Sequence, residues 1–299
     1  MSDNVEEGDS KTSVYSNTNG FPLAEGKTLH MDLCMGQIAN RIITVGGYER
    51  AKKVASLFDE GKIHGIESSR GFNTYTGTFK GIPVSVVAIG MGISMMDFFV
   101  RETRAVIEPG QTMMAVRFGT CGGLDPECGA GTIVVADGAA LVTRDPDFFS
   151  PLYGRGACDA SGSAYRKSKV APANSVLTSL ITDEMSKESF LSGKIHRGIN
   201  ITAESFYGSQ GRIDENFKDE NSDLISEVSS HYSEAKSMEM ETFQLLHLAH
   251  CSNSPIIAAA AAIVVANRCS SEVIDGPSLD RMELDGGRAI LEALIQMPL

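Results

Sequence analysis

No two cysteines in this sequence form a C-x-x-C pair, and the six present, Cys34, Cys121, Cys128, Cys158, Cys251 and Cys269, are scattered. That spacing excludes a cysteine-built zinc or redox motif and suits free thiols in a reducing compartment. The six histidines offer no H-E-x-x-H or other metal spacing. His247 and His250, three apart on a predicted helix, read as packing or surface residues. Positive charge is short, with 26 Lys and Arg against 38 Asp and Glu and a net charge of −12. An acidic surface repels a phosphate backbone, so no nucleic-acid partner is expected. A local arginine cluster can still bind a small anion. The longest apolar run, Ile256 to Ala266, is too short to span a bilayer, so no membrane partner is expected. The polar, acidic stretch from Met1 to Gly20 lacks the apolar segment of a secretory signal, and a cytoplasmic location is expected. There is no internal repeat and no proline-rich linker.

What is present is material for a large core, since 42% of residues are hydrophobic and 21% charged. Residues 1–25 read as a flexible tail and 26–299 as one domain. β-branched runs alternate with helical stretches. Arg41 to Val45 predicts a strand, and apolar spacing from Tyr48 to Phe58 predicts a helix. Phe72 to Phe79 and Ile82 to Ile89 predict a hairpin about Lys80-Gly81. Ile93 to Ile107 reads as a helix, and Met113 to Phe118 as a buried strand that breaks at Gly119. Further strands are expected at 131–137, 198–203 and 255–265. Helices are expected at 175–188, 219–230, 242–250 and 280–297. The segment 155–173 reads as a surface excursion. Strands and helices intermingle throughout, which predicts a single-domain, three-layer α/β/α fold with a mixed central sheet.

Four motifs carry chemistry. Gly46-Gly47-Tyr48-Glu49-Arg50 places backbone N–H groups at a helix start, where anions bind, with Arg50 one turn in. Arg117-Phe118-Gly119-Thr120-Cys121-Gly122-Gly123 puts an arginine near the end of a buried strand. Such a charge is costly without an anionic partner. A glycine-rich turn with a threonine hydroxyl makes phosphate a fitting one. In Phe206-Tyr207-Gly208-Ser209-Gln210-Gly211-Arg212, Gln210 can pair with N3–H and O2 of a uracil ring. Arg212 can donate to O4, and Phe206 offers a flat face. In Met238-Glu239-Met240-Glu241, carboxylates stand where a helix begins and suit a vicinal diol. Each motif alone also reads as an ordinary turn, polar loop or solvated face.

Together and in this order, they resemble the nucleoside phosphorylase-I family, in its uridine phosphorylase branch. The resemblance runs from about His30 to the last helix, and F-Y-x-x-Q-x-R is its most specific element. It implies phosphorolysis of uridine to uracil and ribose 1-phosphate, with deoxyuridine and thymidine as further candidate substrates. Inorganic phosphate is then a co-substrate, and no organic cofactor is implied. Gly46, Arg50, Arg117 and Thr120 would bind phosphate. Gln210, Arg212 and Arg268 would meet the uracil, with Phe206 and Gly122 shaping its pocket. Met240 and Glu241 would hold the ribose together with Thr120, and Glu239 would support them. Arg117, Arg212 and Glu241 would carry the catalysis. His30 and Arg70 match residues lent by a neighbouring subunit, to the ribose 5′-hydroxyl and to phosphate, so a homo-oligomer is implied.

Three departures stand out. Gly47 replaces a common aspartate, and Cys121 a usual threonine or serine. Gly71 replaces a glutamate that helps bacterial hexamers hold a monovalent cation between subunits, which leaves an interfacial cation open. The 155–173 excursion favours a dimer, as in some protozoan relatives. Two alternatives remain at this stage: a purine phosphorylase or nucleosidase of the same fold, and a non-catalytic nucleoside-binding protein. Purine members present an aspartate in the segment that here reads Ala266-Asn267-Arg268.

Overall fold

The computed structural model describes residues 19–61, 63–153 and 162–299. Most of the expected tail, and residues 155–161 of the expected excursion, lie outside these. A two-residue ladder pairs β1 (Leu23–Ala24) with β2 (Lys27–Thr28). The main sheet begins at β3 (Arg41–Val45), in which Ile42, Ile43 and Val45 are fully buried. Helix α1 (Tyr48–Ala55) follows Gly46-Gly47. It stops short of the expected Phe58, which packs into the core from the next turn. The edge strand β4 (His64–Glu67) is mostly exposed, so it carries no apolar alternation to be read.

Hairpin β5 (Asn73–Phe79) and β6 (Ile82–Ala88) forms as expected. Its turn residues Lys80 and Gly81 have φ of 51° and 77°, the left-handed pair favoured by two-residue hairpins. Helix α2 (Ile93–Val106) leads to β7 (Met113–Gly123) and β8 (Ile133–Arg144). Two short strands of the expected excursion, β9 (Tyr165–Lys167) and β10 (Ala171–Pro172), pair with β8. Then come α3 (Ser175–Lys187), β11 (Ile195–Ala203), α4 (Leu224–His231) and β12 (Ala235–Glu239). Helix α5 (Thr242–Cys251), β13 (Ile256–Asn267) and α6 (Gly276–Gln296) complete the chain.

The mixed sheet has parallel pairs at β3–β6, β3–β7, β7–β13, β8–β11 and β11–β12. Antiparallel pairs β12–β7 and β13–β8 fold one half back on itself. Strands β7, β13, β8, β11 and β12 thereby close a ring, while β3, β6, β5 and β4 extend from it as an open sheet.

Helices α1, α3 and α6 pack on one face, where Val54, Ile181, Met282 and Ile290 meet Ile43, Val86 and Phe118. On the other, α2 and α5 bring Met96, Phe99, Leu245 and Leu246 against Ile42, Val87 and Ala115. This is the expected three-layer arrangement. Burying a side chain such as Phe118, fully enclosed here, contributes about 1.5–3 kcal/mol. Glycine sets the spacing at one point of this packing. A Cβ on Gly286 of α6 would lie 2.5 Å from Phe118 Cζ, so only glycine lets this helix approach β7 so closely.

Candidate active site

The site gathers at the ends of β3, β6, β11, β12 and β13 and along β7. Strand β7 does not break at Gly119. It continues to Gly123 because the glycine there serves clearance rather than a turn. A Cβ on Gly119 would come within 3.1 Å of the Arg117 guanidinium. Arg117 is 4% exposed. Its Nη2 donates to Glu241 Oε2 at 2.5 Å, and its Nε stands 3.9 Å from Glu239 Oε2. Nε and Nη1 are buried and have no hydrogen-bond partner. Buried donors are rarely left unpaired, and an anion is the partner a guanidinium takes best.

Gly46 lies beside this arginine. A Cβ built on it would stand 3.9 Å from Arg117 Nη2 and 3.5 Å from the carbonyl of Gly90. Gly90 N–H in turn donates to the Gly46 carbonyl at 3.0 Å. Arg50 is held by Glu283 of α6, which accepts from its Nε at 2.7 Å and from Lys53 Nζ at 2.5 Å. Burial lowers the pKa of Arg50. Glu283 opposes that shift, and the neighbouring positive charge of Arg117 adds to it. Two arginines this close make a corner for a multiply charged anion.

The two glutamates have different tasks. Glu239 ends β12 and is 4% exposed. It accepts from Thr202 Oγ1 at 2.9 Å, from Glu241 N–H at 2.9 Å and from Thr242 N–H at 3.1 Å. It therefore caps the start of α5 and fixes its neighbour. Burial, reinforced by the charge of Glu241, pushes its pKa up to about 7. Glu241 accepts from Gly92 N–H and from Arg117, each at 2.5 Å. Burial pushes its pKa up, but Arg117 and the Gly92 N–H outweigh burial and hold it below the usual carboxylate value.

Above these acids opens a cavity of about 190 Å³. Thr120, Gly122, Phe206, Gln210, Met240 and Arg268 line it together with Arg212, Glu239 and Glu241. Three of the four sequence motifs thus share one chamber, and the first is joined to it through Arg117. A larger cavity of about 520 Å³ lies between the far ends of α2 and α5 and holds none of the motif residues. The smaller one, which gathers the motif residues, is the candidate site.

In its wall, Arg212 Nη1 donates to Gln210 Oε1 at 2.5 Å and to the Phe206 carbonyl at 2.6 Å. Arginine has only donors, so the Gln210 amide is turned with its oxygen toward Arg212. The Arg212 guanidinium also covers one face of Phe206 at 3.8 Å. Burial lowers its pKa, and Arg268 adds to the shift. Arg268 runs past Gly122, where a Cβ would stand 3.5 Å from Arg268 Cγ, and donates to the Gly211 carbonyl at 3.3 Å.

His30 and Arg70 do not line the cavity of their own chain. His30 Nδ1 lies 2.5 Å from Glu102 Oε1, and its ring stacks on Phe98 at 3.9 Å. Glu102 also accepts the His30 and Met31 N–H groups at 3.0 and 2.8 Å, which leaves Nε2 as the outward ring nitrogen. Arg70 is exposed in the turn after β4.

At Gly47 a Cβ would meet nothing within 4 Å, so this departure changes charge rather than space. Gly71 has φ of 85°, a conformation that disfavours the glutamate of the bacterial pattern. Cys121 belongs to the chamber wall but is nearly fully buried, with Sγ 3.6 Å from the Ile263 carbonyl. Burial, then Glu239, pushes its thiol pKa well up, so it stays protonated. Sequence reading missed Glu102, Glu283 and Gly92. A signal for the two acids exists, since each falls on the apolar face of its helix and is nearly fully buried.

The solved structure of a uridine phosphorylase from the oomycete Phytophthora capsici is 42% identical and superposes with a TM-score of 0.88, covering 95% of this chain and 100% of that one. A DeoD-type purine nucleoside phosphorylase of Oceanobacillus iheyensis is 34% identical over 113 residues, 38% of this chain and 46% of that protein. A uridine phosphorylase of Thermococcus kodakarensis is 25% identical over 188 residues, 63% of this chain and 59% of that protein. The chain spans about half the length of the curated relatives it matches. Residues 40–290 match the Phosphorylase superfamily, and with that span covering most of its sequence, the chain belongs to this family.

Proposed function

We propose that this chain catalyses the phosphorolysis of uridine, with deoxyuridine and thymidine as further substrates, in pyrimidine salvage. The observation that carries the reading is Arg117, buried, bonded to Glu241, and holding two nitrogens, Nε and Nη1, with no hydrogen-bond partner. A water-using nucleosidase has no need of that anion corner. The 42% identity to the oomycete enzyme supports the same reaction.

Phosphate is the nucleophile. One of its oxygens bonds to C1′ as the C1′–N1 bond breaks. The electron pair of that bond leaves on the uracil ring, which takes up a proton from solvent. Arg117, Arg50, Thr120 and the Gly46 backbone hold the phosphate beneath the sugar, so catalysis rests on positioning and electrostatics. Glu241, with Met240, binds the ribose hydroxyls. Gln210 keeps acceptor capacity on Oε1 for N3–H and offers its amide hydrogens to a ring carbonyl. Charge developing on the leaving base meets Arg212 and Arg268, an interaction that strengthens as the bond breaks and so lowers the barrier. The reaction balances with nucleoside and phosphate alone, without an organic cofactor.

The purine reading finds no carboxylate at Ala266-Asn267-Arg268. Asn267 faces away from the chamber, with Nδ2 donating to the Asp125 and Cys128 carbonyls at 2.9 and 2.8 Å.

The working unit is a homodimer. That His30 and Arg70 sit outside the chamber of their own chain supports their being lent to a neighbouring subunit. A solution mass of six chains would overturn the dimer. Among the described residues no helix is long and apolar enough to cross a membrane. The five described cysteines are free, which supports a reducing, cytoplasmic setting.

The test is uracil release from uridine with and without inorganic phosphate, with inosine in parallel. Uracil formed only with phosphate is expected. Equal release without phosphate would make the protein a hydrolase. Turnover of inosine alone would move it to the purine branch, and no turnover of either would leave a binding protein.

A further inference from the structure

The turn that carries Gln210 and Arg212 is held by a residue outside every motif read from the sequence. Asn221 is 5% exposed. Its Nδ2 donates to the carbonyl of Gly208 at 3.0 Å and to that of Arg212 at 2.9 Å. One amide group therefore ties the first and last residues of the stretch Gly208 to Arg212. Between the two ties, Gly211 turns with φ of 63°, and Gln210 is directed into the chamber wall. On the other side Ser205 Oγ accepts the Ser209 N–H at 3.0 Å.

The support beneath Asn221 is itself anchored in the sheet. Arg144, the last residue of β8, donates from Nη1 to Asp219 Oδ1 at 2.6 Å. Tyr165 of β9, 3% exposed, donates its hydroxyl to the Asp219 carbonyl at 2.7 Å. Gly208 fits against this pair, since a Cβ there would lie 3.2 Å from Asp219 Oδ1 and 3.4 Å from Tyr165 Oη. Between Asp219 and Asn221, Glu220 holds a left-handed φ of 47°. A non-glycine residue persists there only where its surroundings over-determine it. The helix read from 219 cannot start there for this reason, and α4 begins at Leu224. Asn221 does not cap it through its side chain, so the helix does not account for an asparagine at this position.

We propose that Asn221 is a positioning residue for base recognition, fixing the 208–212 turn so that Gln210 and Arg212 present one set of donors and acceptors to the pyrimidine edge. The inference rests on the proposed uridine reaction and adds a residue to it. It also gives a task to the excursion. Through Tyr165, its described part braces the base-reading turn.

The experiment compares the full-length wild type with Asn221→Leu, which removes both donors, and Asn221→Asp, which turns a carboxylate toward two carbonyls. Uridine and phosphate are varied separately, and thermal unfolding is followed for each protein. Losing both donors strips the Arg212 carbonyl of the Asn221 amide and leaves the Gly208 carbonyl only the Gly211 N–H, so KM for uridine should rise about tenfold. KM for phosphate should stay within about twofold, since Arg117 and Arg50 are untouched. A folded variant with both KM values unchanged overturns the proposal. So does a parallel rise in both, which marks a general loosening of the fold. Should Asn221→Leu fail to fold, the same split is read in Asn221→Asp. Failure of the wild type to release uracil with phosphate is a separate result and overturns the reaction instead.

Discussion

Arg117 Nη2 and Glu241 Oε2 lie 2.5 Å apart with both side chains nearly fully buried. In the proposed reaction the pair would join the phosphate corner to the ribose floor. It leaves the guanidinium two further donors and holds Glu241 ionised. Breaking a buried pair from one side exposes the other charge to a medium that solvates it poorly.

Arg117→Ala should therefore fail twice. Glu241 loses its counter-ion, which is expected to cost about 3–5 kcal/mol of stability. Phosphate loses its main ligand, with an expected fall of about 100-fold or more in kcat/KM. Urea unfolding and steady-state kinetics check the two effects separately. Wild-type stability with near-wild-type turnover would dissociate Arg117 from the site.

Arg212→Ala should act on chemistry alone. Its guanidinium stacks on a half-exposed Phe206 ring, so the fold loses little. The expected fall in kcat/KM for uridine is about 100-fold or more, with an unfolding midpoint close to wild type. Activity within a few fold of wild type would show that the base is read elsewhere.

Glu239 gives stability a pH dependence of definite sign. Its pKa rises from the ordinary 4.5 to about 7 on folding, so the folded state binds the extra proton. Its contribution is full below about 4.5 and is lost as pH rises through about 7. Glu241 has the opposite sign. Its contribution is present above the ordinary value and is lost only as pH falls below it, outside this window. Urea midpoints between pH 4.5 and 8 should carry a falling component that Glu239→Gln removes. An unchanged slope in that variant would mean Glu239 ionises normally.

Glu283 holds Arg50 and Lys53 from the opposite helix. Glu283→Gln should let Arg50 shift and raise KM for phosphate by about tenfold or more, since small misplacements of a positioning group are costly. KM for uridine should change less. A rise confined to uridine would contradict the assignment of Arg50 to phosphate.

Gly286→Ala tests the packing behind the site. Its Cβ would overlap the Phe118 ring, and overpacking of this kind costs about 1–3 kcal/mol. Thermal unfolding should show the loss, and pairing the substitution with Phe118→Leu should recover part of it. A wild-type melting point would mean that α6 moves away freely.

By itself the sequence determined the alternation of elements, the three-layer class and the four motifs in their order. These are local matters. Apolar period, glycine punctuation and the type of residue beside a turn are written in consecutive positions, as in Arg41–Val45 or Lys80-Gly81. Tertiary structure alone decided the closure of β7, β13, β8, β11 and β12 into a ring, because pairing of distant strands leaves no local period. It also decided that Gly119 makes room for an arginine rather than a turn, since the group it clears is the side chain of Arg117 folded back along the same strand. Glu283, Glu102 and Asn221 act across separations of 233, 72 and 9 residues. A buried polar side chain is defined by the partner the fold brings to it, and that partner is named nowhere in its own stretch of sequence.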